Sequence, residues 1–98
     1  MAPANDRETI LGSVTLRYWA SARAAAGTDS EALDVTGPVS LAELVARART
    51  VHDSRRFSDV LGCCSVMVGD RPVTTDDPAS VIVQPGATVE FLPPFAGG

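Results

Sequence analysis

A chain of 98 residues, 45% apolar and 20% charged, has the size and composition of one globular domain with its own core. Its formal charge is -4, and all its basic residues are arginine. An acidic chain without a basic cluster has no positive excess to displace phosphate counterions, which argues against nucleic acid and anionic membranes as partners. No apolar run approaches the roughly 20 residues that cross a bilayer.

Residues 1–12 mix both charges and lack an apolar stretch. They read as a disordered lead-in rather than a signal peptide, and the cytoplasm is the expected compartment. Residues 13–20 alternate: Val14, Leu16 and Tyr18 point one way, Thr15, Arg17 and Trp19 the other. That is a half-buried strand. The alanine-rich segment behind it predicts a short helix stopped by Gly27. A second strand follows, with Leu33 and Val35 inward, closed by Gly37-Pro38 and antiparallel to the first.

The best helix covers residues 40–52. Ser40 and Glu43 have capping-box spacing, and Leu41, Leu44, Val45, Ala48 and Val51 form an apolar stripe. His52, at its end, is expected to be solvated or held by the helix dipole. A shorter helix places Phe57, Val60 and Leu61 on one face and ends at Gly62. Cys63-Cys64-Ser65-Val66-Met67-Val68 reads as a third strand with Cys64, Val66 and Val68 inward and Met67 outward. Adjacent cysteines point apart on a strand, so both read as free thiols. Gly69-Asp70 turns the chain into a short return strand, and a loop with a brief extended piece follows. Gln84-Pro85-Gly86-Ala87 has type II turn chemistry. Thr88 to Leu92 is the last strand, with Val89 and Phe91 inward and Glu90 and Leu92 outward; Pro93-Pro94 ends it.

The order predicts an α+β fold in which one main helix covers one face of a mixed sheet of four to five strands. The pattern fits a ubiquitin-like β-grasp with the first and last strands as central neighbours. The domain is expected over residues 13–94, with 95–98 a flexible, protruding tail. Within the body no metal-ligand spacing, phosphate loop or nucleophile-base motif appears, so the chain does not read as an enzyme on its own. Attention moves to Phe95-Ala96-Gly97-Gly98. At a usage of about 7%, two glycines fall at two given positions about once in 200 chains. A carboxylate on a thin glycine tail can enter another enzyme's narrow active site, and two prolines stiffen its root.

Three stretches, VTLRYWASARAAAG, SLAELVARA and GATVEFLPPFAGG, together resemble the MoaD branch of the MoaD/ThiS sulfur carriers, the small subunits of molybdopterin synthase. The Pro-Pro-x-Ala-Gly-Gly ending is the most specific part. The resemblance implies that an E1-like (MoeB-like) enzyme uses ATP to adenylate the Gly98 carboxylate, which then becomes a thiocarboxylate. It implies delivery of that sulfur to a cyclic pterin precursor in a MoaE-like large subunit, with Pro93, Pro94, Phe95, Ala96 and Gly97 forming the tail. No cofactor or metal bound to this chain is implied. Carriers for cysteine or thiamine synthesis and ubiquitin-like protein modifiers remain open as alternatives, as does a plain interaction domain. The alternation places Trp19, Met67 and Leu92 on the open face as a candidate partner surface, with Arg23 at its edge and Phe95 as an anchor on the tail.

Overall fold

The fold follows from which strands can bury one face. In this computed structural model, which describes residues 12–94, the first strand β1 (Gly12–Tyr18) turns Val14, Leu16 and Tyr18 into the core. It pairs antiparallel with β2 (Ser30–Val35) and parallel with β7 (Thr88–Leu92). β7 in turn pairs antiparallel with β4 (Ser65–Val68), and β4 with β5 (Arg71–Pro72). The sheet order β2-β1-β7-β4-β5 puts the first and last strands side by side in the middle, as expected. Expectations for residues 1–11 and for Phe95, Ala96, Gly97 and Gly98 lie outside the described residues; Gly12, assigned to the lead-in, already belongs to β1.

Three helices close the inner face. α1 (Ala20–Ala26) ends on Gly27, whose φ of 79° is the left-handed cap that glycine adopts without a Cβ clash. α2 (Leu41–Val51) starts where the Ser40 hydroxyl accepts from the Glu43 amide at 3.1 Å. Leu41, Leu44 and Ala48 are buried beneath it. α3 (Arg55–Gly62) is capped by Ser54 and buries Phe57 and Leu61. Full burial of each large apolar side chain contributes about 1.5–3 kcal/mol relative to exposure. Gly86, at φ 92°, completes the expected turn, where the Ala87 amide donates to the Gln84 carbonyl at 3.1 Å.

The structure corrects several local expectations. β1 stops at Tyr18, two residues early, because Trp19 is the N-cap of α1 and Ala20 takes a φ of 49° to swing the chain off the sheet. A left-handed alanine is strained by about 1–2 kcal/mol, so this sharp exit is held by its surroundings. Val51 does not join the apolar stripe; it is 56% exposed. At 100° per residue it falls to the stripe's edge, and His52, four residues after Ala48, takes the inward direction. The third strand begins at Ser65, since α3 runs through Gly62 and Cys63 caps it. A separate two-stranded sheet, β3 (Val39–Ser40) with β6 (Ile82–Val83), tethers the start of α2 to the last long loop. Two-residue strands carry no periodicity, so nothing local marks β3.

Candidate functional site at the open face and tail root

The register of the two central strands decides what the open face presents. Arg17 is the partner of Glu90, and Tyr18 of Phe91. One residue on, the Trp19 amide donates to the Phe91 carbonyl at 3.2 Å, which brings Trp19 beside Leu92. On the far side of β7, Met67 pairs with Glu90 and Ser65 with Leu92. Trp19 is 41% exposed, while Leu92 and Met67 are half-buried. Arg23 is exposed on α1, one turn beyond Trp19, and makes no ion pair with another described residue. Pro93 and Pro94 follow β7 directly at this end of the sheet.

The indole is fixed rather than loose. Its Nε1 donates to Glu90 Oε2 at 3.1 Å, and the Arg17 guanidinium lies 4.9 Å from the ring centroid. Such a cation-π contact contributes about 0.5–1 kcal/mol at an exposed site. Arg17 and Glu90 were not among the expected site residues. Alternation placed both on the outward face; Arg17 meets the indole from two residues back in the chain, whereas Glu90 reaches it only through the parallel pairing of β1 with β7.

His52 departs from expectation. Its Nε2 lies 2.7 Å from Glu31 Oε2, the same oxygen that accepts from the Tyr18 hydroxyl at 2.6 Å. The imidazole meets Tyr18 edge-on and tilts against Phe57, with only 14% of its side chain exposed. Glu31 faces inward at the edge of the sheet, where a carboxylate can satisfy two polar groups at the rim of an aromatic cluster. The arrangement ties β1, β2 and the end of α2 together and offers no open position for a reactant.

Both cysteines are free; Cys63 is exposed and Cys64 buried. Cys64 donates its thiol to the Val60 carbonyl at 3.3 Å, and burial, aided by the neighbouring Cys63, pushes its pKa up to about 11. Burial, then the hydrogen bond to Glu31 and that group's charge, hold the Tyr18 phenol well above its ordinary range. Both groups keep their protons longer folded than unfolded. Their stabilisation is therefore complete below the unfolded values and is lost as pH rises past them. Urea melts should show stability falling above about pH 9, and Tyr18→Phe should flatten the part of that fall above about pH 10. An unchanged alkaline slope would show that Tyr18 is not the group retained. Among the described residues no group of His, Cys, Asp and Glu stands together as a metal site.

The ThiS family profile matches residues 16–98. No curated protein sequence matches the chain. Solved structures share its fold. Small archaeal modifier protein 1 of Haloferax volcanii superposes with a TM-score of 0.72 at 19% identity, covering 89% of this chain and 100% of that one. A putative molybdopterin converting factor subunit 1 of Pyrococcus furiosus gives 0.69 at 20% identity, covering 86% and 99%. In the complex of subunits 1 and 2 of the molybdopterin-converting factor of Helicobacter pylori, the matching chain gives 0.60 at 20% identity, covering 88% and 99%. At these identities the likeness concerns the fold. The profile takes in most of the chain, from the middle of β1 through Gly97-Gly98, and the chain belongs to the ThiS family of ubiquitin-like sulfur carriers.

Proposed function

We propose that the protein is the sulfur-carrying small subunit of a molybdopterin synthase. The observation that carries this reading is the junction at Leu92, where a central strand of a β-grasp gives way to Pro93-Pro94-Phe95-Ala96-Gly97-Gly98. A strand held on both edges anchors the tail. Proline lacks the amide needed to continue pairing, and its fixed φ stiffens the exit. In this scheme an E1-like enzyme joins the Gly98 carboxylate to AMP and releases pyrophosphate. A sulfur nucleophile then attacks the acyl carbon, AMP leaves, and a thiocarboxylate remains. Sulfur passes to the pterin precursor, water supplies oxygen, and the carboxylate returns. The chain's own part is to present the tail and to dock; acid, base and ATP chemistry belong to its partners.

The open face around Trp19 is the docking surface in this reading. The Helicobacter complex pairs a chain of this fold with a second subunit, which supports a large-subunit partner here. Trp19→Ala is expected to weaken that complex by at least about 2 kcal/mol, the scale of an interface hot spot. Its melting temperature should stay close to wild type, because the side chain is 41% exposed and lies outside the buried core. Calorimetric titration with the large subunit measures the first and thermal melting the second; an unfolded variant would overturn the surface role. The fold shared with small archaeal modifier protein 1 supports a second reading, attachment of Gly98 to other proteins.

The deciding experiment incubates the protein with ATP, sulfide and an adenylating enzyme from its own source and weighs it intact. Replacement of one oxygen by sulfur, mapped to Gly98, is the expected result. An unchanged mass with an active enzyme present would overturn the carrier reading. Conjugates on target proteins, without pterin conversion, would favour the modifier.

A further inference from the structure

β2 stands at one end of the five-stranded sheet, so one of its edges has no strand beside it. The ladder with β1 fixes which groups lie on that edge. The Tyr18 amide donates to the Asp29 carbonyl at 2.9 Å, and an antiparallel ladder alternates bonded with non-bonded pairs. In the same register Glu31, Leu33 and Val35 turn their amides and carbonyls to β1, while Ser30, Ala32 and Asp34 turn theirs outward. An outward row of this kind is a template for another strand. Two of its three carbonyls are occupied. The Thr28 hydroxyl donates to the Ser30 carbonyl at 2.9 Å, and Arg47 Nη1, reaching across from α2, donates to the Asp34 carbonyl at 2.8 Å. We propose that β2 is a latent pairing edge for a second copy of this chain, and that Thr28 and Arg47 hold it shut.

The second copy follows from the register. Two β2 strands meeting antiparallel about a two-fold axis at Ala32 would set Ala32 opposite Ala32 and Ser30 opposite Asp34. All the outward residues then fall in hydrogen-bonded positions. The Ser30 amide would donate to the Asp34 carbonyl of the other copy, and the Asp34 amide to the Ser30 carbonyl. Those are the acceptors that Thr28 and Arg47 already fill, which leaves only the exchange between the two Ala32 residues. A slip by one bonded pair in either direction aligns fewer outward residues and is weaker from the start. Charge does not close this edge: in the symmetric register Asp34 faces Ser30 and Glu31 faces Leu33, so no two carboxylates stand directly opposite. The far edge of the sheet is closed by other means, since β5 is two residues long and Pro72 has no amide to donate.

Edge closure is a property of this chain alone and stands apart from the sulfur-carrier reading, so its test needs no enzyme. Thr28→Val combined with Arg47→Met keeps the bulk of both side chains and removes both donors. Symmetric pairing of the wild type displaces four capping bonds, two from each copy. The double variant should therefore self-associate at least about tenfold more tightly. Losing an arginine makes a chain of net charge -4 more acidic, which opposes association, so charge cannot supply the gain. Sedimentation equilibrium measures the association and amide hydrogen exchange locates it. The Ser30, Ala32 and Asp34 amides should become protected in the variant as concentration rises and stay open in the wild type. Protection of the Val14 and Leu16 amides, which face β2, reports an intact fold. Ala32→Pro, added to the double variant, removes the central donor at an edge position that tolerates proline and should restore the monomer. Equal association of wild type and double variant would overturn the proposal. So would association that leaves the three outward amides open, or that persists with Ala32→Pro, because it would run through another surface. Should the double variant lose the Val14 and Leu16 protection, each single variant, freeing one of the two acceptors, is read by the same outcomes.

Discussion

Phe57→Ala is expected to remove about 3–5 kcal/mol, a large share of this domain's stability. Phe57 is fully buried on α3, edge-on to Tyr18 at 5.5 Å between ring centroids and tilted against His52 at 4.8 Å. Tyr18 stacks in turn on Phe91 of β7, 5.7 Å away. The ring thus joins α3, the end of α2 and both central strands in one cluster. Truncating a buried phenylalanine removes the transfer term and leaves a cavity, a loss of about 3–5 kcal/mol. Domains of this size hold about 5–15 kcal/mol in total. At about 4–8 °C per kcal/mol, the melting temperature should fall by at least about 12 °C. Phe57→Leu keeps much of the volume and should lose less than half as much. Urea and thermal melts of the three proteins test this. A loss below about 1 kcal/mol for alanine would mean the cluster relaxes around the gap and does not hold α3 to the sheet.

The same cluster shows where sequence reading stops. Val14, Leu16, Tyr18, Val89 and Phe91 declare themselves by alternation, and each is essentially inaccessible in the fold. Ser40 and Glu43 declare the start of α2 because capping is a contact three residues long. The inward turn of His52 was not legible. It depends on Glu31, 21 positions away, offering a carboxylate at the sheet edge. Glu90 failed to register for the same reason: it meets Trp19 only after β1 and β7 pair, across a separation of 71 residues. The fold class comes from local periodicity, which the hydrophobic effect reads directly. The contact between Trp19 and Glu90 comes from long-range register, which periodicity does not encode. The expectation for the tail rests on its residue types alone, and Phe95 to Gly98 lie outside the described residues.

Deleting Gly97-Gly98 is expected to leave the domain intact and to abolish charging with sulfur. The core ends with Phe91, and Pro94 is already exposed, so the truncation removes no buried area among the described residues. The melting temperature should move by less than about 2 °C, the shift that a change of a few tenths of a kcal/mol produces. The end that the proposed function makes reactive, by contrast, would retreat. Four residues beyond Pro94 span at most about 14 Å, and removing two halves that reach. The new terminal carboxylate would sit on Ala96, whose Cβ crowds the carbon that must be attacked. Misplacing a reacting group by even about 1 Å can cost on the order of a hundredfold in rate, so a retreat of several ångströms should bring thiocarboxylation below detection. Gly98→Ala separates the two causes: the length is kept and only a methyl is added. If reach dominates, this variant should retain most of the charging rate seen in intact-mass time courses. If steric access dominates, it should fail nearly as completely as the deletion. Charging of the truncated chain at the wild-type rate would show that the Gly98 carboxylate is not the group activated, and the reading of this domain as a carrier through its tail would fall with it.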